Sequence, residues 1–536
     1  MKTAHVDTFA RDNLPPRDQW PEMRFDLPEL QYPARMNCAA VLLDDMVNAG
    51  HGDRIALRAP YGSSIHECTY AQLQAQANRM ANLLVRDMGL KPGNRVLLRG
   101  PNNPMMAAAW LAVFKAGGIC VGTMPLLRAK ELTEIVNKAE ITHALCDQRL
   151  DAELKLALPA CPVLKSISYW YDDATDERIK NCSEKFENVK TSAEDVAVIA
   201  FTSGTTGKPK GTMHFHRDVV AMCDCFPRSC LKPSSSDIFI GSPPLAFTFG
   251  LGGLLCFPLR FGASTALVEK FTPDSMLEAV QKFQATILFT APTMYRALAG
   301  IWRNYDLSSL TKCVSAGEAL PDATRQLFKQ ASGIEIIDGI GATEMIHIFI
   351  SHTPESVKRG ATGRAIPGYT ATVLDEKGER CAPGQIGRLA VKGPTGCRYL
   401  ADEWQKNYVW NGWNLTGDAY LMDDDGYFHY QARTDDMIIS AGYNIAGPEV
   451  EGALLSHPAV AECGVVGQQD EERGMVVKAF VILKKEFSAN EEMKKELQEH
   501  VKGSIAPYKY PRKIEFVAAL PRTETGKLQR FKLRSP

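Results

Sequence analysis

The sequence has almost no net charge, since 61 lysine and arginine residues are balanced by 62 aspartate and glutamate residues in a chain of 536. A nearly neutral chain lacks the excess of basic residues with which proteins bind nucleic acid or anionic membranes. No run reaches the roughly 18 apolar residues that span a bilayer, because MMAAAWLAVF at 105–114 is too short. The N-terminal stretch MKTAHVDTFARDNLPPRDQWPE has no apolar core of the secretory type. These absences predict a cytoplasmic protein with no nucleic-acid or membrane partner.

Cysteines in metal-binding spacing are absent as well. The 14 cysteines are scattered, and the one cluster, Cys223, Cys225 and Cys230, lacks zinc-finger spacing. We therefore expect reduced thiols. Internal repeats and low-complexity tracts do not occur either. An ordinary globular protein of several domains remains.

Short apolar runs alternate with helix-length segments through most of the chain. RVLLRG at 95–100 is followed by the helical pattern PMMAAAWLAVFKAGG and then by ICVGTM. Continuous apolar strands separated by helices indicate mostly parallel sheets that are covered on both faces. We predict an α/β fold with a large N-terminal domain, 1–434, of several mostly parallel sheets with helices.

The pattern changes near residue 433. Downstream, AECGVVG, KAFVILK and the charged helical pattern SANEEMKKELQEHVKG indicate a compact α+β unit. About a hundred residues is a normal domain size, so we predict a small C-terminal domain at 435–536. The junction QARTDDMIISAGYN is short and polar, which favours a hinge over a flexible tether.

The stretch FTSGTTGKPKGTMH at 201–214 has the composition of a phosphate-binding loop. The nucleotide-hydrolase P-loop is excluded, because Thr202 stands where its first glycine is needed and Pro209 follows Lys208. Pro209 also predicts that the chain turns back after its strand instead of entering a helix.

Glycines that allow close backbone approach, hydroxyl donors and lysines together make this loop a candidate anion clamp. On composition alone, a solvated flexible turn is the alternative. The candidate phosphate contacts are Thr202, Ser203, Gly204, Thr205, Thr206, Gly207 and Lys208.

Four further motifs follow in order: SAGEAL at 315–320, DGIGATE at 338–344, LTGD at 415–418 and PRTETGKLQR at 521–530. With the loop they resemble the adenylate-forming superfamily of acyl-CoA synthetases, aryl-CoA ligases, peptide-synthetase adenylation domains and luciferases. The resemblance spans essentially the whole chain. It implies an acyl-CoA synthetase-like fold whose small C-terminal domain is mobile about a hinge at Asp435.

The resemblance also implies a catalytic set of Lys527, Thr343 and Glu344. Lys527 would bridge the substrate carboxylate and the phosphate of ATP. Thr343 would contact the α-phosphate of ATP, and Glu344 would hold Mg²⁺. Asp418 and Arg433 would bind the ribose. The implied ATP site is Thr202, Ser203, Gly204, Thr205, Thr206, Gly207, Lys208, Gly317, Glu318, Asp338, Gly339, Thr343, Asp418, Arg433 and Lys527.

Two segments are candidates for binding the carboxylic acid that this family activates. In SPPLAFTFGLGG at 242–253, Phe247 and Phe249 suit a flat ring, although both can equally be core residues. GATEMIHIFIS at 341–351 closely resembles benzoate-CoA ligases, which implies that His347 lines an aryl pocket. The implied substrate contacts are Phe247, Thr248, Ala316, Gly341 and His347.

IAPYKYPRKIEFV at 505–517 and the N-terminal VDTFARDNLPPRDQWPE resemble the aryl-CoA ligase branch, most closely its 2-aminobenzoate-CoA ligases. The resemblance implies ATP-dependent ligation of 2-aminobenzoate or benzoate to coenzyme A through an acyl-adenylate, with release of AMP and pyrophosphate. Coenzyme A would pass Gly442 and Tyr443. We expect a monomer or homodimer with ATP, Mg²⁺ and coenzyme A as cofactor and co-substrates.

Several alternatives stay open. A short- or medium-chain fatty acid can be the substrate, the acceptor can be a carrier protein, or the chain can be a silent nucleotide sensor. A transition-metal site is a further alternative, because His214 and His216 can share one strand face. Glu344 and His347 form half of a carboxylate di-metal motif, which needs a second copy.

Overall fold

The structure is a computed structural model that describes residues 3–203, 209–440, 443–470, 474–505, 507–522 and 528–534. Within these ranges the strands are, in chain order, β1 Ile55–Tyr61, β2 Ser64–Thr69, β3 Arg95–Arg99, β4 Ile119–Thr123, β5 His143–Asp147, β6 Ser166–Trp170, β7 Val196–Ser203, β8 Pro209–Phe215, β9 Ile238–Gly241, β10 Ser264–Ala266, β11 Ile287–Thr290, β12 Lys312–Ser315, β13 Ile336–Gly341, β14 Ile348–Ser351, β15 Arg364–Ala365, β16 Thr370–Leu374, β17 Ile386–Lys392, β18 Val409–Trp410, β19 Trp413–Met422, β20 Phe428–Arg433, β21 Ile438–Ser440, β22 Tyr443–Ile445, β23 Val460–Asp470, β24 Gly474–Leu483 and β25 Lys513–Phe516.

The α-helices of the same ranges are α1 Phe9–Asp12, α2 Tyr70–Asn82, α3 Pro104–Lys115, α4 Ala129–Lys138, α5 Asp151–Ala157, α6 Asp173–Asn181, α7 His216–Phe226, α8 Thr248–Leu251, α9 Phe257–Arg260, α10 Pro273–Phe283, α11 Pro292–Ile301, α12 Asp322–Ser332, α13 Gln405–Tyr408, α14 Gly447–Leu455, α15 Glu491–Ser504 and α16 Arg530–Arg534. Local sequence explains several of their starts. Thr69 and Gln72 form a capping box before α2, and Asn103 caps α3, which opens on Pro104.

Two large sheets form the N-terminal part. The first has the order β15-β14-β13-β12-β11-β9-β10-β1-β2, and its strands from β13 to β1 run parallel. The second has the order β6-β5-β3-β4-β7-β8 and is parallel up to β7. Helix α3 packs between them with nearly all of its residues buried. Helices on both faces explain why strands such as β3 are buried along their whole length.

A third sheet, β16-β17-β19-β18 with β20 beside β19, is antiparallel. The C-terminal residues form a fourth sheet, β22-β21-β24-β23 with β25 beside β24, against which α14 and α15 pack around their own core. The predicted α/β class, with several mostly parallel sheets and a smaller α+β C-terminal unit, is confirmed. The boundary at 434/435 and the mobility of the small domain stay predictions.

The C-terminal unit contacts residues on the helices and loops of the first large sheet. The Arg296 guanidinium on α11 donates to the carbonyls of Leu455 and Val460, at 3.4 and 3.3 Å. Arg522 lies 3.7 Å from Glu318, which follows β12. No helix in the described ranges is long and apolar enough to span a bilayer.

Candidate active site

Several of the predicted site residues lie at or after the carboxyl ends of neighbouring parallel strands. Segments 242–250 and 316–318 come after β9 and β12, segment 341–344 begins at the last residue of β13, and β11 joins β9 to β12 in the sheet. In α/β folds ligands bind at this edge of a sheet. The topology therefore brings the predicted acid, adenine and α-phosphate segments to one crevice.

The predicted phosphate loop lies between two antiparallel strands. Thr202 of β7 pairs with Lys210 of β8, so the chain turns back, as predicted from Pro209, instead of entering a helix. Gly204, Thr205, Thr206, Gly207 and Lys208 lie outside the described residues, and only the backbone of Ser203 is described. The clamp itself stays a prediction.

Lys210 lies on β8 with its amino group 3.9 Å from the centre of the half-exposed Trp404 ring. Burial lowers the pKa of Lys210, whereas the charges of Asp402 and Glu344 oppose that shift. Lys210 therefore holds a largely buried amino group within electrostatic reach of Glu344.

Thr343 and Glu344 lie on a short 3₁₀ turn, Thr343–Met345, that follows β13. The Nε2 of His214 donates to the Thr343 carbonyl at 2.8 Å, and the Tyr399 hydroxyl donates to Oε1 of Glu344 at 2.6 Å. The turn ends at Ile346, whose φ of 64° is rare for a β-branched residue. The turn is thus held by side chains from distant parts of the chain.

The structure does not support a transition-metal site at His214 and His216, and this alternative is wrong. His214 is committed to the Thr343 carbonyl, while His216 begins α7 and places Nδ1 3.1 Å from the Cys38 sulfur. Burial lowers the pKa of His214 to about 4 and that of His216 to about 3, so both are neutral. In the described ranges no three His, Cys, Asp or Glu side chains are grouped to hold a metal.

The predicted ribose contacts meet on adjacent strands. Asp418 of β19 stands opposite Arg433 of β20, and the guanidinium lies 3.1 Å from Oδ1 of the carboxylate. Arg433 also donates to the Thr416 carbonyl at 3.2 Å. The pair can therefore present a carboxylate acceptor and a cation to one polar ligand.

The predicted adenine segment lies at the ends of β12 and β13. Asp338 stands opposite Ser315, next to the buried Ala316, and its own backbone N–H donates to Nε2 of His352 at 3.1 Å. Burial raises the pKa of Asp338 to about 7, although Arg325 opposes the shift. Gly317 adopts φ of 91°, which a glycine permits.

His347 lies three residues after Glu344 in an aromatic cluster and is only 3% exposed. Its ring centre is 4.5 Å from that of Phe257, 5.7 Å from Phe249 and 5.9 Å from Phe226. Its Nε2 lies 3.4 Å from the Phe249 carbonyl, so Nε2 carries the proton and Nδ1 is an acceptor. Burial lowers the pKa of His347 to about 3. The imidazole is neutral.

The backbone around this cluster is tight. A Cβ at Gly252 would lie 2.4 Å from Cδ2 of His347, and a Cβ at Gly341 would lie 2.8 Å from the His347 carbonyl group. Gly252 begins a π-helical segment, Gly252–Cys256, between α8 and α9. Such segments are frequent at functional sites.

The other predicted acid contacts lie beside this cluster in the chain. Phe249 packs on His347, whereas Phe247 is half-buried and precedes α8, which begins at the buried Thr248. The buried Asn102 side chain donates to the Pro243 carbonyl and accepts from Leu245 N–H, at 2.9 and 2.8 Å. Asn102 thus joins the second sheet to the predicted acid segment.

Glu344 fits a magnesium ion bound with ATP. Its half-buried carboxylate lies on a turn that contacts β7 and β8, the strands on either side of the predicted phosphate loop. Mg²⁺ is commonly held by one or two carboxylates together with substrate phosphates. The Tyr399 hydrogen bond occupies one of about four acceptor positions of the carboxylate, so others remain for a cation.

Comparison with known families gives an AMP-binding enzyme domain over residues 45–399 and an AMP-binding enzyme C-terminal domain over 449–527. The chain belongs to the AMP-binding enzyme family. The benzoate–CoA ligase of Thauera aromatica is 35% identical to this AMP-binding enzyme over 520 residues, which cover 95% of the chain and 97% of the relative. The acyl-coenzyme A synthetase ACSM3 of Rattus norvegicus is 32% identical, covering 94% and 91%.

A solved structure is similar over nearly its whole length. The anthranilate CoA ligase AuaEII, determined in complex with anthranoyl-AMP, superposes with a TM-score of 0.90 at 33% identity, covering 95% of this AMP-binding enzyme and 98% of the ligase. The predicted membership of the adenylate-forming superfamily, in its aryl-CoA ligase branch, is confirmed. The prediction of an AMP-forming acid–thiol ligase is confirmed at the level of the class.

The C-terminal motif of this AMP-binding enzyme lies partly outside the described ranges. Lys527 and Gly442 are outside them, and for Asp435 and Tyr443 only the backbone is described. Arg522 and Leu528, which flank the stretch that contains Lys527, form an antiparallel bridge. Since Arg522 also lies 3.7 Å from Glu318, this end of the C-terminal unit is beside the predicted adenine segment.

Sequence patterns did not predict three contacts at the site. These are the hydrogen bonds of Tyr399 to Glu344, of Asn102 to the segment at 243–245, and of His214 to the Thr343 carbonyl. His214 stands in HFH, a pattern that indicates only a metal ligand. Tyr399 and Asn102 stand outside every motif, and no spacing rule connects them with Glu344 or Pro243.

Proposed function

We propose that this enzyme joins an aromatic carboxylic acid, 2-aminobenzoate or benzoate, to coenzyme A in the cytoplasm through an acyl-adenylate. The observation that carries the proposal is the neutral His347 among Phe226, Phe249 and Phe257, three residues after Glu344. Rings pack favourably against aromatic walls. The names of two similar ligases, for benzoate and anthranilate, support the same class of acid.

In the first half-reaction a carboxylate oxygen attacks the α-phosphorus of ATP, and the bond to the pyrophosphate breaks. The protein has little covalent chemistry to do, because positioning and charge neutralisation account for most of the rate. The Thr343 hydroxyl and the loop 202–208 hold the phosphates, and Asp418 with Arg433 holds the ribose. Magnesium held at Glu344 would neutralise phosphate charge.

Lys527 supplies the positive charge that is still needed between the two reacting anions. Its ammonium group bridges the carboxylate and the α-phosphate, which repel each other without a cation. The approach of Arg522 to Glu318 supports this role, since Arg522 belongs to the same motif and lies on the adenine side of the crevice.

In the second half-reaction the thiol of coenzyme A attacks the acyl carbon, and AMP leaves. We propose that the C-terminal unit, 435–536, turns about Asp435 between the two steps, as a hinge-based switch. Gly442 and Tyr443 then line the path of the pantetheine arm. The enzyme acts as a monomer or homodimer.

Between the two acids, 2-aminobenzoate has one feature in its favour. Its amino group needs a hydrogen-bond acceptor, and Nδ1 of His347 is buried without a partner in the described part of the chain. A buried acceptor that stays unpaired is costly, so a ligand donor would relieve it.

A fatty acid of short or medium chain is the second candidate. The similarity to the acyl-coenzyme A synthetase ACSM3 favours it, since this relative is almost as similar as the benzoate–CoA ligase. The aromatic rings around His347 weigh against a long flexible chain.

ATP–pyrophosphate exchange with benzoate, 2-aminobenzoate, hexanoate and an amino acid distinguishes the candidates. We expect exchange with the two aromatic acids and coenzyme A ester formation when coenzyme A is added. Exchange with hexanoate alone would overturn the aryl proposal, and adenylation without transfer to coenzyme A would point to a carrier-protein acceptor.

A further inference from the structure

Tyr399 stands outside all five sequence motifs, yet it is the hydrogen-bond donor to the predicted magnesium ligand. Its side chain is 2% exposed, and its hydroxyl donates to Oε1 of Glu344 at 2.6 Å. The carboxylate can only accept in this bond, so the phenol hydroxyl is the donor.

Tyr399 is itself fixed on two sides. Its backbone N–H donates to the Oε1 of Gln405 at 2.8 Å, and the Nε2 of Gln405 donates to the Gln19 carbonyl at 2.9 Å. On the other side Tyr399 forms an antiparallel bridge with Thr212 of β8. The backbone of Tyr399 therefore has a defined position relative to β8, the strand that follows the predicted phosphate loop in the chain.

The turn that carries Glu344 is fixed independently. The Thr395 hydroxyl donates to the Met345 carbonyl at 2.8 Å, and His214 donates to the Thr343 carbonyl. These bonds hold the backbone on either side of Glu344. The carboxylate at the end of its flexible side chain needs a restraint of its own, which the Tyr399 hydroxyl supplies.

We propose that Tyr399 is a positioning residue for adenylation: its hydrogen bond orients the Glu344 carboxylate for the divalent cation that accompanies ATP. The inference rests on the proposed function of Glu344. Groups that hydrogen-bond a metal ligand fix its orientation, and their loss commonly lowers metal affinity or activity about 10–100-fold.

Tyr399→Phe tests the proposal because it removes one hydroxyl and keeps the buried ring. Tyr408→Phe is the matched control. The two rings pack edge to face with centres 5.8 Å apart, and the Tyr408 hydroxyl is buried without a hydrogen-bond partner in the described ranges. Both variants therefore lose a buried hydroxyl from the same cluster, but only Tyr399→Phe loses a bond to Glu344.

The direct measurement is binding of Mn²⁺ in the presence of ATP, followed by electron paramagnetic resonance, with no acid added. Mn²⁺ is a suitable probe because it shares the preference of Mg²⁺ for oxygen ligands. We expect about 10–100-fold weaker Mn²⁺ binding in Tyr399→Phe, and binding like that of the parent chain in Tyr408→Phe.

The second measurement is the Mg²⁺ dependence of ATP–pyrophosphate exchange. The concentration for half-maximal exchange should rise in Tyr399→Phe, while exchange at saturating Mg²⁺ should approach that of the parent chain. A packing role would lower the rate at every Mg²⁺ concentration.

Unchanged Mn²⁺ affinity in Tyr399→Phe, or an equal loss in both variants, would overturn the proposal, as would absence of metal-dependent ATP binding in the parent chain. The substrate question is separable. Metal–ATP binding is measured without an acid, so an enzyme that fails to activate any aromatic acid can still show the difference between the two variants.

Discussion

Glu344 and His347 lie three residues apart on one segment, and their surroundings are opposite. Glu344 is half-buried and accepts a hydrogen bond from Tyr399. Its negative charge interacts with the amino group of Lys210. His347 is enclosed by the rings of Phe226, Phe249 and Phe257 and is kept neutral. One short segment thus divides the site into a polar half and an aromatic half.

The contrast leads to an expectation for the proposed function. Charge and hydrogen-bond donors would hold the phosphates in the same way whichever acid is bound, whereas the shape of an apolar wall would select the acid. Changes in the polar half should therefore lower turnover equally for all acids, whereas changes in the aromatic half should alter the preference among them.

The largest effect is expected from Glu344→Gln, which removes a charge and keeps the shape. Adenylation should fall about 10²–10³-fold, as when one preorganised electrostatic group is lost. The loss should be equal for benzoate and 2-aminobenzoate, measured as kcat/KM in pyrophosphate exchange. A loss confined to one acid would break the division between the halves.

A smaller effect is expected from Gly252→Ala, since the new Cβ would lie 2.4 Å from Cδ2 of His347 and 3.0 Å from Cζ of Phe257. Overpacking of this kind costs about 1–3 kcal/mol of stability. KM for the aromatic acid should rise, while the affinity for ATP without acid stays unchanged.

Gly300→Ala is the matched control, because a Cβ at this position in α11 would have no neighbour within 4 Å. There an alanine should stabilise the helix by about 0.5–1 kcal/mol. The checks are the temperature of thermal unfolding and KM for the aromatic acid. If both variants changed these quantities equally, the packing around His347 would not be the cause of the effect.

A pH-dependent effect on stability, rather than on turnover, is expected from the buried carboxyl of Asp338. Burial raises its pKa from 3.8 to about 7. Between these pH values the folded protein retains a proton that the unfolded chain has lost, so the stability contributed by this group falls as pH rises through that window. The free energy of unfolding that this group contributes changes by at most about 1.4 kcal/mol per pH unit.

Asp338→Asn should remove this contribution, measured as the difference between the free energies of unfolding of the variant and the parent chain from pH 5 to 8. Buried histidines such as His352, whose pKa is lowered to about 4 chiefly by burial, add a slope of opposite sign below about pH 6.5, but they add it to both chains. A difference between the two chains that does not change with pH would assign the titration to another group.

Local patterns predicted much of this architecture. RVLLRG, the helical run after it and ICVGTM are β3, α3 and β4, and Pro209 predicted the reversal between β7 and β8. These features depend on neighbouring residues and on backbone chemistry. They can therefore be read from short stretches of sequence.

Other features depend on contacts between distant parts of the chain. β9 lies between β10 and β11 in the first sheet, Tyr399 reaches Glu344 across 55 residues, and Asn102 reaches Leu245 across 143. Such contacts follow from the order in which strands pair, which hydrophobic periodicity does not encode. The polar half was therefore predicted without the side chains that hold it.

The central claim is that an aromatic acid is joined to AMP in this crevice. Enzyme at high concentration is mixed with an excess of ATP, Mg²⁺ and either 2-aminobenzoate or benzoate, without coenzyme A, and is then quenched. Mass spectrometry detects any adenylate, and Lys527→Ala is the negative control. We expect the aroyl-adenylate to accumulate towards one per enzyme and to become the thioester when coenzyme A is added. Hexanoyl-adenylate formed in a parallel reaction, with no adenylate from either aromatic acid, would contradict the account.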